Sequence, residues 1–270
     1  MHPFTDIGLV VRTYDLGEAD RIVTFLTEEH GLVRAVARAV RRTRSRMGAS
    51  LESFAVVEVQ IAPGRGRSGL GTVRQASSRE SLARPLVADY PAYTAGCVVL
   101  ETAERLAGED GAPTPRLLGL AVGALRSLAE HRRPPGLVAD AFLLRAMAAS
   151  GWEPVLDCCV RCGLVGPHRA FHVASGGTVC VHCRPQGCAM LSPGVAEHLS
   201  ALLGGEWDAV AVSSPAVVRQ ASGIAAAHLQ WHLERDLRSL PLVDRGAVDT
   251  VEPFPVPSVE ESRARATTIS

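Results

Sequence analysis

The sequence predicts an α+β multidomain chain: a small β-structure first, then a helical region interrupted by a cysteine-rich metal insert. Three observations predict this. Apolar residues alternate along residues 7–82, a helical period takes over from about residue 84, and two C-x-x-C pairs fall between residues 151 and 188.

Ile7, Leu9 and Val11 alternate with Gly8, Val10 and Arg12, and Arg21-Ile22-Val23-Thr24-Phe25-Leu26-Thr27 is rich in β-formers. Glu29-His30-Gly31 is a turn, and Leu32-Val33-Arg34-Ala35-Val36-Ala37 follows as a strand. Phe54-Ala55-Val56-Val57-Glu58-Val59-Gln60-Ile61 is the clearest strand, and Gly71-Thr72-Val73-Arg74-Gln75-Ala76 is another. Short strands at this spacing predict a small barrel or sandwich.

Beyond residue 84, Tyr93, Cys97, Leu100, Ala103 and Leu106 follow helical spacing. So do Leu118, Ala121, Leu125 and Leu128, and then Leu137, Ala141, Leu144 and Ala148, with Pro113, Pro115, Pro134 and Pro135 marking the breaks. After the insert, Ser192-Pro193 reads as an N-cap and first-turn proline, and Gly204-Gly205 as a stop. A last helix is expected over roughly residues 215–240, with Leu229, Leu233, Leu237 and Leu240 on one side. From Pro241 the chain is rich in Pro, Ser and acids, the composition of a disordered tail. The organisation is therefore residues 1–82 as the β-domain, 83–150 with 189–240 as the helical domain, 151–188 as the insert, and 241–270 as the tail.

No apolar run approaches the roughly 18 residues of a membrane span, and the N-terminus lacks the layout of a signal peptide. The expectation is a cytoplasmic protein that does not engage a membrane. Net charge is zero, but residues 31–79 hold ten Arg against two acids, a balance of +8, offset by −8 elsewhere. Every one of the 28 basic residues is Arg, which suits phosphate forks and stacking on bases. The candidate DNA-binding residues are Arg34, Arg38, Arg41, Arg42, Arg44 and Arg46 on a strand and its following loop, with Arg65, Arg67 and Arg74 on a Gly-rich hairpin and the next strand. On a small barrel they form one positive face that tracks a phosphate backbone; a merely solvated arginine surface is the competing reading. Aromatics for base stacking are scarce there: Phe4, Tyr14, Phe25 and Phe54.

Six of seven cysteines fall within residues 158–188. Cys159-Val160-Arg161-Cys162 and Cys180-Val181-His182-Cys183 are two knuckles separated by 17 residues, the spacing of a four-thiolate zinc site. Such a closed shell leaves no position for water, so the zinc is expected to be structural. Cys158 lies beside the pair as a bystander, Cys188 is a thiol beside the site or a substitute ligand, Cys97 belongs to a helix core, and His168, His172 and His182 are second-choice ligands. Gly64-Arg65-Gly66-Arg67-Ser68-Gly69 fits a dinucleotide fingerprint by letter, but the strand-like run after it makes it a hairpin turn. No H-x-E precedes the cysteines and neither C-x-x-C pair follows a Pro, which excludes a zinc deaminase. No P-loop, paired-carboxylate pattern or open metal site stands out, so an enzyme is not expected.

These residues resemble a known family, the bacterial recombination mediator RecO. Tyr14-Asp15-Leu16-Gly17-Glu18-Ala19-Asp20-Arg21-Ile22-Val23-Thr24 looks like its opening motif, Glu29-His30-Gly31 and Ala35-Val36-Ala37-Arg38-Ala39-Val40-Arg41-Arg42 like its next strand and basic turn. Leu51-Glu52-Ser53-Phe54 and Gly64-Arg65-Gly66 also match, and Gly151-Trp152-Glu153-Pro154-Val155-Leu156-Asp157 leading to Cys159 resembles the start of its zinc insert. The order covers about residues 7–240; the basic turn, which in the family usually includes Lys, is all Arg here. The resemblance implies an N-terminal OB-fold β-barrel followed by an α-helical domain with an inserted four-Cys zinc finger. It implies a non-enzymatic, nucleoid-associated mediator of DNA repair and recombination. Such a protein binds single- and double-stranded DNA, anneals complementary strands, contacts the C-terminal tail of single-strand-binding protein, and works with RecR to load RecA. The alternative is a zinc-containing RNA-binding or protein-interaction module, which competition between DNA and RNA oligomers distinguishes.

Overall fold

The computed structural model describes residues 2–42, 45, 47–64, 70–108, 112–234 and 236–243. Five strands, β1 (Phe4–Leu16), β2 (Asp20–Thr27), β3 (Leu32–Ala37), β4 (Ala55–Ala62) and β5 (Gly71–Ser81), close into a barrel in the order β1-β2-β3-β5-β4. Closure comes from a short parallel pairing of β3 with β5, Ala35 opposite Gly71 and Val36 opposite Thr72. A Cβ on Gly71 would sit 2.7 Å from Ile61 Cγ2, so the closing pair needs glycine there. This is a five-stranded barrel of the OB type.

The barrel wall is apolar on both sides over part of its surface. Val10, Val23, Phe25, Ala35, Val57, Val59 and Ile61 fill the interior. Leu9, Val11, Leu26, Phe54 and Val56 point outward and join the core of the helical region. That is why Leu9-Val10-Val11 is an unbroken buried run rather than an alternation.

The helices are α1 (Ala83–Val87), α2 (Tyr90–Leu106), α3 (Pro115–Ala129), α4 (Pro135–Ala149), α5 (Val195–Gly204), α6 (Trp207–Ala211) and α7 (Pro215–Leu233). Prolines open α3, α4 and α7 where the missing N–H has no partner to lose. Helix α4 is buried on nearly every side, from Val138 to Met147, and is the centre of the bundle. Three short strands, β6 (Ala170–His172), β7 (Gly177–Val179) and β8 (Ala189–Met190), form the sheet of the insert in the order β7-β6-β8. No described helix is long and apolar enough to cross a membrane.

Two expectations are corrected. Helix α5 starts after Gly194, not at Ser192, because the Ser192 N–H donates to Gln220 Oε1 and its carbonyl closes a turn with Val195. Helix α7 ends at Leu233, not near 240, where Glu234 takes a left-handed φ of 52°. Leu237 and Leu240 are still buried, because the chain turns back onto α2. There the Glu101 carboxylate accepts from the backbone N–H of Arg238 and Ser239 and from Ser239 Oγ at 2.6 Å. Val243 is buried in the same core, so the first residues after Pro241 are held; residues 244–270, assigned to a tail, lie outside the described residues.

Burial alone would raise the Glu101 carboxyl; the hydrogen bonds from Ser239, Arg238 and Arg105 outweigh it and hold the group below its ordinary value. Replacing Glu101 by Ala should cost about 2–3 kcal/mol in urea denaturation, the scale for bonds to a buried charge. The wild-type contribution should be fully present above the ordinary carboxylate range and should fade as pH falls through the lowered value.

Candidate nucleic-acid interface and metal centre

The insert has almost no core of its own. Its buried cluster is Cys159, Ala170, Val179 and Cys180, so half of that core is sulfur-bearing. Each C-x-x-C pair sits in a tight turn: the Gly163 N–H donates to Cys159 O at 2.8 Å, and the Cys183 N–H to Cys180 O at 3.2 Å. Gly163 takes a φ of 73°, which lets the first knuckle close.

The four sulfurs of Cys159, Cys162, Cys180 and Cys183 lie within 4.8 Å of one another. Cys162 Sγ is 3.8 Å from Cys180 Sγ, and a tetrahedron with metal–sulfur bonds of about 2.3 Å has edges of about 3.8 Å. Backbone N–H groups of Cys180, Cys162 and Arg161 point at Cys159 and hold its thiol down to about 6. The Cys183 thiol is pushed up to about 12 by its hydrogen bonds with Cys162 and Cys180. One thiolate forms readily and the last forms only against its neighbours, so the set fits a divalent cation that stabilises all four. Cys158, Cys188 and the histidines 168, 172 and 182 are not in this cluster. His172 instead bonds Ser175 Oγ, and the Cys188 thiol donates to Pro185 O.

On the barrel, the outward side of β1-β2-β3 carries the basic residues in rows. Directly opposed residues of an antiparallel pair share a face. Leu9, Leu26 and Leu32 form the row nearest the helices. Arg12, Thr24 and Arg34 form the next, then Tyr14, Ile22 and Val36, with Thr72 beside Val36 on β5. Arg38, in the turn after β3, and Arg74, at a bulge in β5, each lie two residues beyond the closing Val36–Thr72 pair and are exposed. Arg34, Arg38, Arg42 and Arg74 are exposed, and none makes an ion pair among the described residues.

Arg41 behaves differently. Its guanidinium pairs with Asp15 at 3.1 Å and donates to Gly17 O at 2.9 Å, which ties the turn after β3 to the β1–β2 hairpin. Arg44, Arg46, Arg65 and Arg67 lie outside the described residues.

Two residues of this surface escape a reading by alternation, Arg12 and Tyr14. A bulge at Val11 shifts the register between Val10 and Arg12, so Arg12 and Tyr14 face out although Val10, of the same parity, faces in. Arg12 Nη2 pairs with Glu104 of α2 at 2.7 Å, and Arg34 also lies in that carboxylate's field.

A groove on the helical region has a second cluster of arginines. Adjoining cavities of about 700 and 580 Å³ share Leu120 and Arg145. Their walls include Arg116, Arg132 and Arg133, with Trp207 and Phe142 as apolar lining. The Arg133 and Arg145 guanidiniums lie 5.3 and 5.7 Å from the Trp207 ring centre. These arginines are spread over α3, α4 and the turn between them, with no sequence signal except their later convergence.

Residues 1–82 match the family model described as Recombination protein O N terminal, and residues 87–241 match that described as Recombination protein O C terminal.

One divalent ion per chain is the expected metal content, and Cys180→Ser should reduce it to none. The same variant should melt earlier by thermal denaturation, whereas Cys188→Ser should retain the ion.

Proposed function

This chain belongs to the recombination protein O (RecO) family of DNA recombination and repair mediators, and from that premise we propose a working mechanism: it binds single- and double-stranded DNA along its barrel, anneals complementary strands, and with RecR helps load RecA onto DNA coated by single-strand-binding protein. The observation that carries this reading is the set of exposed arginines on one side of the barrel, Arg34 on β3 and Arg74 on β5, with Arg38 and Arg42 in the turn after β3. Guanidiniums at that spacing hold phosphates and leave the bases free to pair with a second strand. Such binding is sequence-tolerant and salt-sensitive, which favours exchange of a strand between proteins over tight storage. Arg44, Arg46, Arg65 and Arg67 belong to the same proposed footprint by sequence position, and Arg41 shapes the turn that presents it.

Zn2+ is the ion proposed for Cys159, Cys162, Cys180 and Cys183, because a four-thiolate tetrahedron suits it and the sulfur spacing agrees. When bound, it supplies folding energy to an insert whose apolar core is too small to fold alone. The chain itself docks the insert: Phe171 is fully buried in the helical core and meets His228 of α7 edge-on, and His228 Nε2 contacts Trp152 O.

The groove between α3, α4 and α6 is the proposed seat of the single-strand-binding protein's tail. Its arginines and its Trp207 suit a peptide with both acidic and apolar groups. The proposed location is cytoplasmic, with the nucleoid.

Arg38→Ala, Arg42→Ala and Arg74→Ala together should weaken single-strand binding, and each lost phosphate contact should flatten the log–log salt dependence by about 0.7. Unchanged affinity and slope would remove the barrel face from the account. In an annealing assay on DNA coated with single-strand-binding protein, the triple variant should be slow, and Trp207→Ala should be slow on coated DNA alone.

A further inference from the structure

Four aromatic residues belong to the barrel region, and the fold disposes of three. Phe25 and Phe54 are buried, and Phe4 is half-buried with its ring stacked on His30 at 3.8 Å. Tyr14 is 44% exposed, on the outward row with Ile22 and Val36. Arg12 and Arg34 form the row on one side, about 7 Å away along the strands, and Arg38 and Arg74 are exposed beyond the Val36–Thr72 end of the Tyr14 row.

The ring is also held. Arg12 Nη1 donates to Tyr14 Oη at 2.7 Å, and the Arg12 guanidinium sits 5.8 Å from the ring centre. Glu104 of α2, half-buried at the junction of barrel and helices, fixes the other end of Arg12 at 2.7 Å. An exposed tyrosine normally samples several rotamers; this one is clamped through Arg12 to a helix.

We propose that Tyr14 is a stacking site for one unpaired nucleobase, oriented by Arg12 and Glu104. The inference rests on the barrel-face reading and adds to it. Phosphates run along the arginines, and the bases turn toward the apolar row beside them. Stacking on an aromatic side chain requires a free base face, which a duplex interior does not offer. Arg12 is a positioning residue here, and Glu104 positions Arg12.

The test compares an oligothymidylate with an abasic oligomer of equal length, bound by the full chain. Tyr14→Ala should lose about tenfold in affinity for the oligothymidylate and far less for the abasic oligomer, with the salt slope kept. Tyr14→Phe, which keeps the ring and loses the hydroxyl, should recover most of the difference. Glu104→Gln should move the oligothymidylate in the same direction as Tyr14→Ala, to a smaller extent. Equal losses on both oligomers, or none on either, overturn the stacking site. The underlying reading is judged separately: Arg38→Ala with Arg74→Ala should weaken both oligomers alike, and if it weakens neither, the face itself is wrong.

Discussion

One residue inserted between the Val10–Phe25 and Arg12–Thr24 pairs governs what β1 offers to solvent. The strand must serve three environments in turn: the helical core, the barrel interior and water. A strict two-residue period would send Arg12 and Tyr14 inward behind Val10. The bulge at Val11 instead keeps Val11 against the helices and turns Arg12, Tyr14 and Leu16 outward. From there the ladder propagates the choice, since Thr24 and Arg34, then Ile22 and Val36, must share the face of their partners. The outward surface of three strands thus follows from one local irregularity.

The helices decide how much of that surface remains for a ligand. Leu9, Leu26, Val56 and Phe54 join the core of the helical region, where α2 and α3 meet the barrel, and Gly96 lets α2 approach until an added Cβ would stand 3.0 Å from Phe54. Polar contacts seal the edges: Arg126 grips both Glu80 oxygens, and Arg12 meets Glu104. What stays open is the far part of β1-β2-β3 and the turn after β3, where Arg34, Arg38 and Arg42 make no ion pair among the described residues. The insert is tied to the same body through α7, where Trp152 stacks on His232 at 4.8 Å and His228 lies edge-on to His232 and Phe171. Burial drives the His228 imidazole down to about 4, so that contact stays neutral across the physiological range.

Much of this was legible in the sequence. Two C-x-x-C pairs at a fixed spacing identified the four clustered thiols, because a knuckle needs only local geometry. Five strands followed from β-branched runs, and the helices from leucine periodicity and prolines at their starts. Other features depend on distant parts of the chain. Leu237 and Leu240 continue the leucine spacing of α7, yet they are buried by a turn whose N–H groups meet Glu101, about 140 residues earlier, and no local pattern carries that information. Arg41 reads like its neighbours, but Asp15 on another strand engages it. The bulge at Val11 has no residue signature, so alternation does not place Arg12 and Tyr14 on the outer face. Arg116, Arg132, Arg133 and Arg145 converge only after the helices pack.

Backbone amide hydrogen exchange, with and without a saturating single-stranded oligomer, tests the central claim most directly. The account predicts slowed exchange along β1, β2 and β3 and through the turn that carries Arg41 and Arg42, with little change in residues 157–190. Slowed exchange confined to the insert or to the helices, with the barrel strands unaffected, would contradict it.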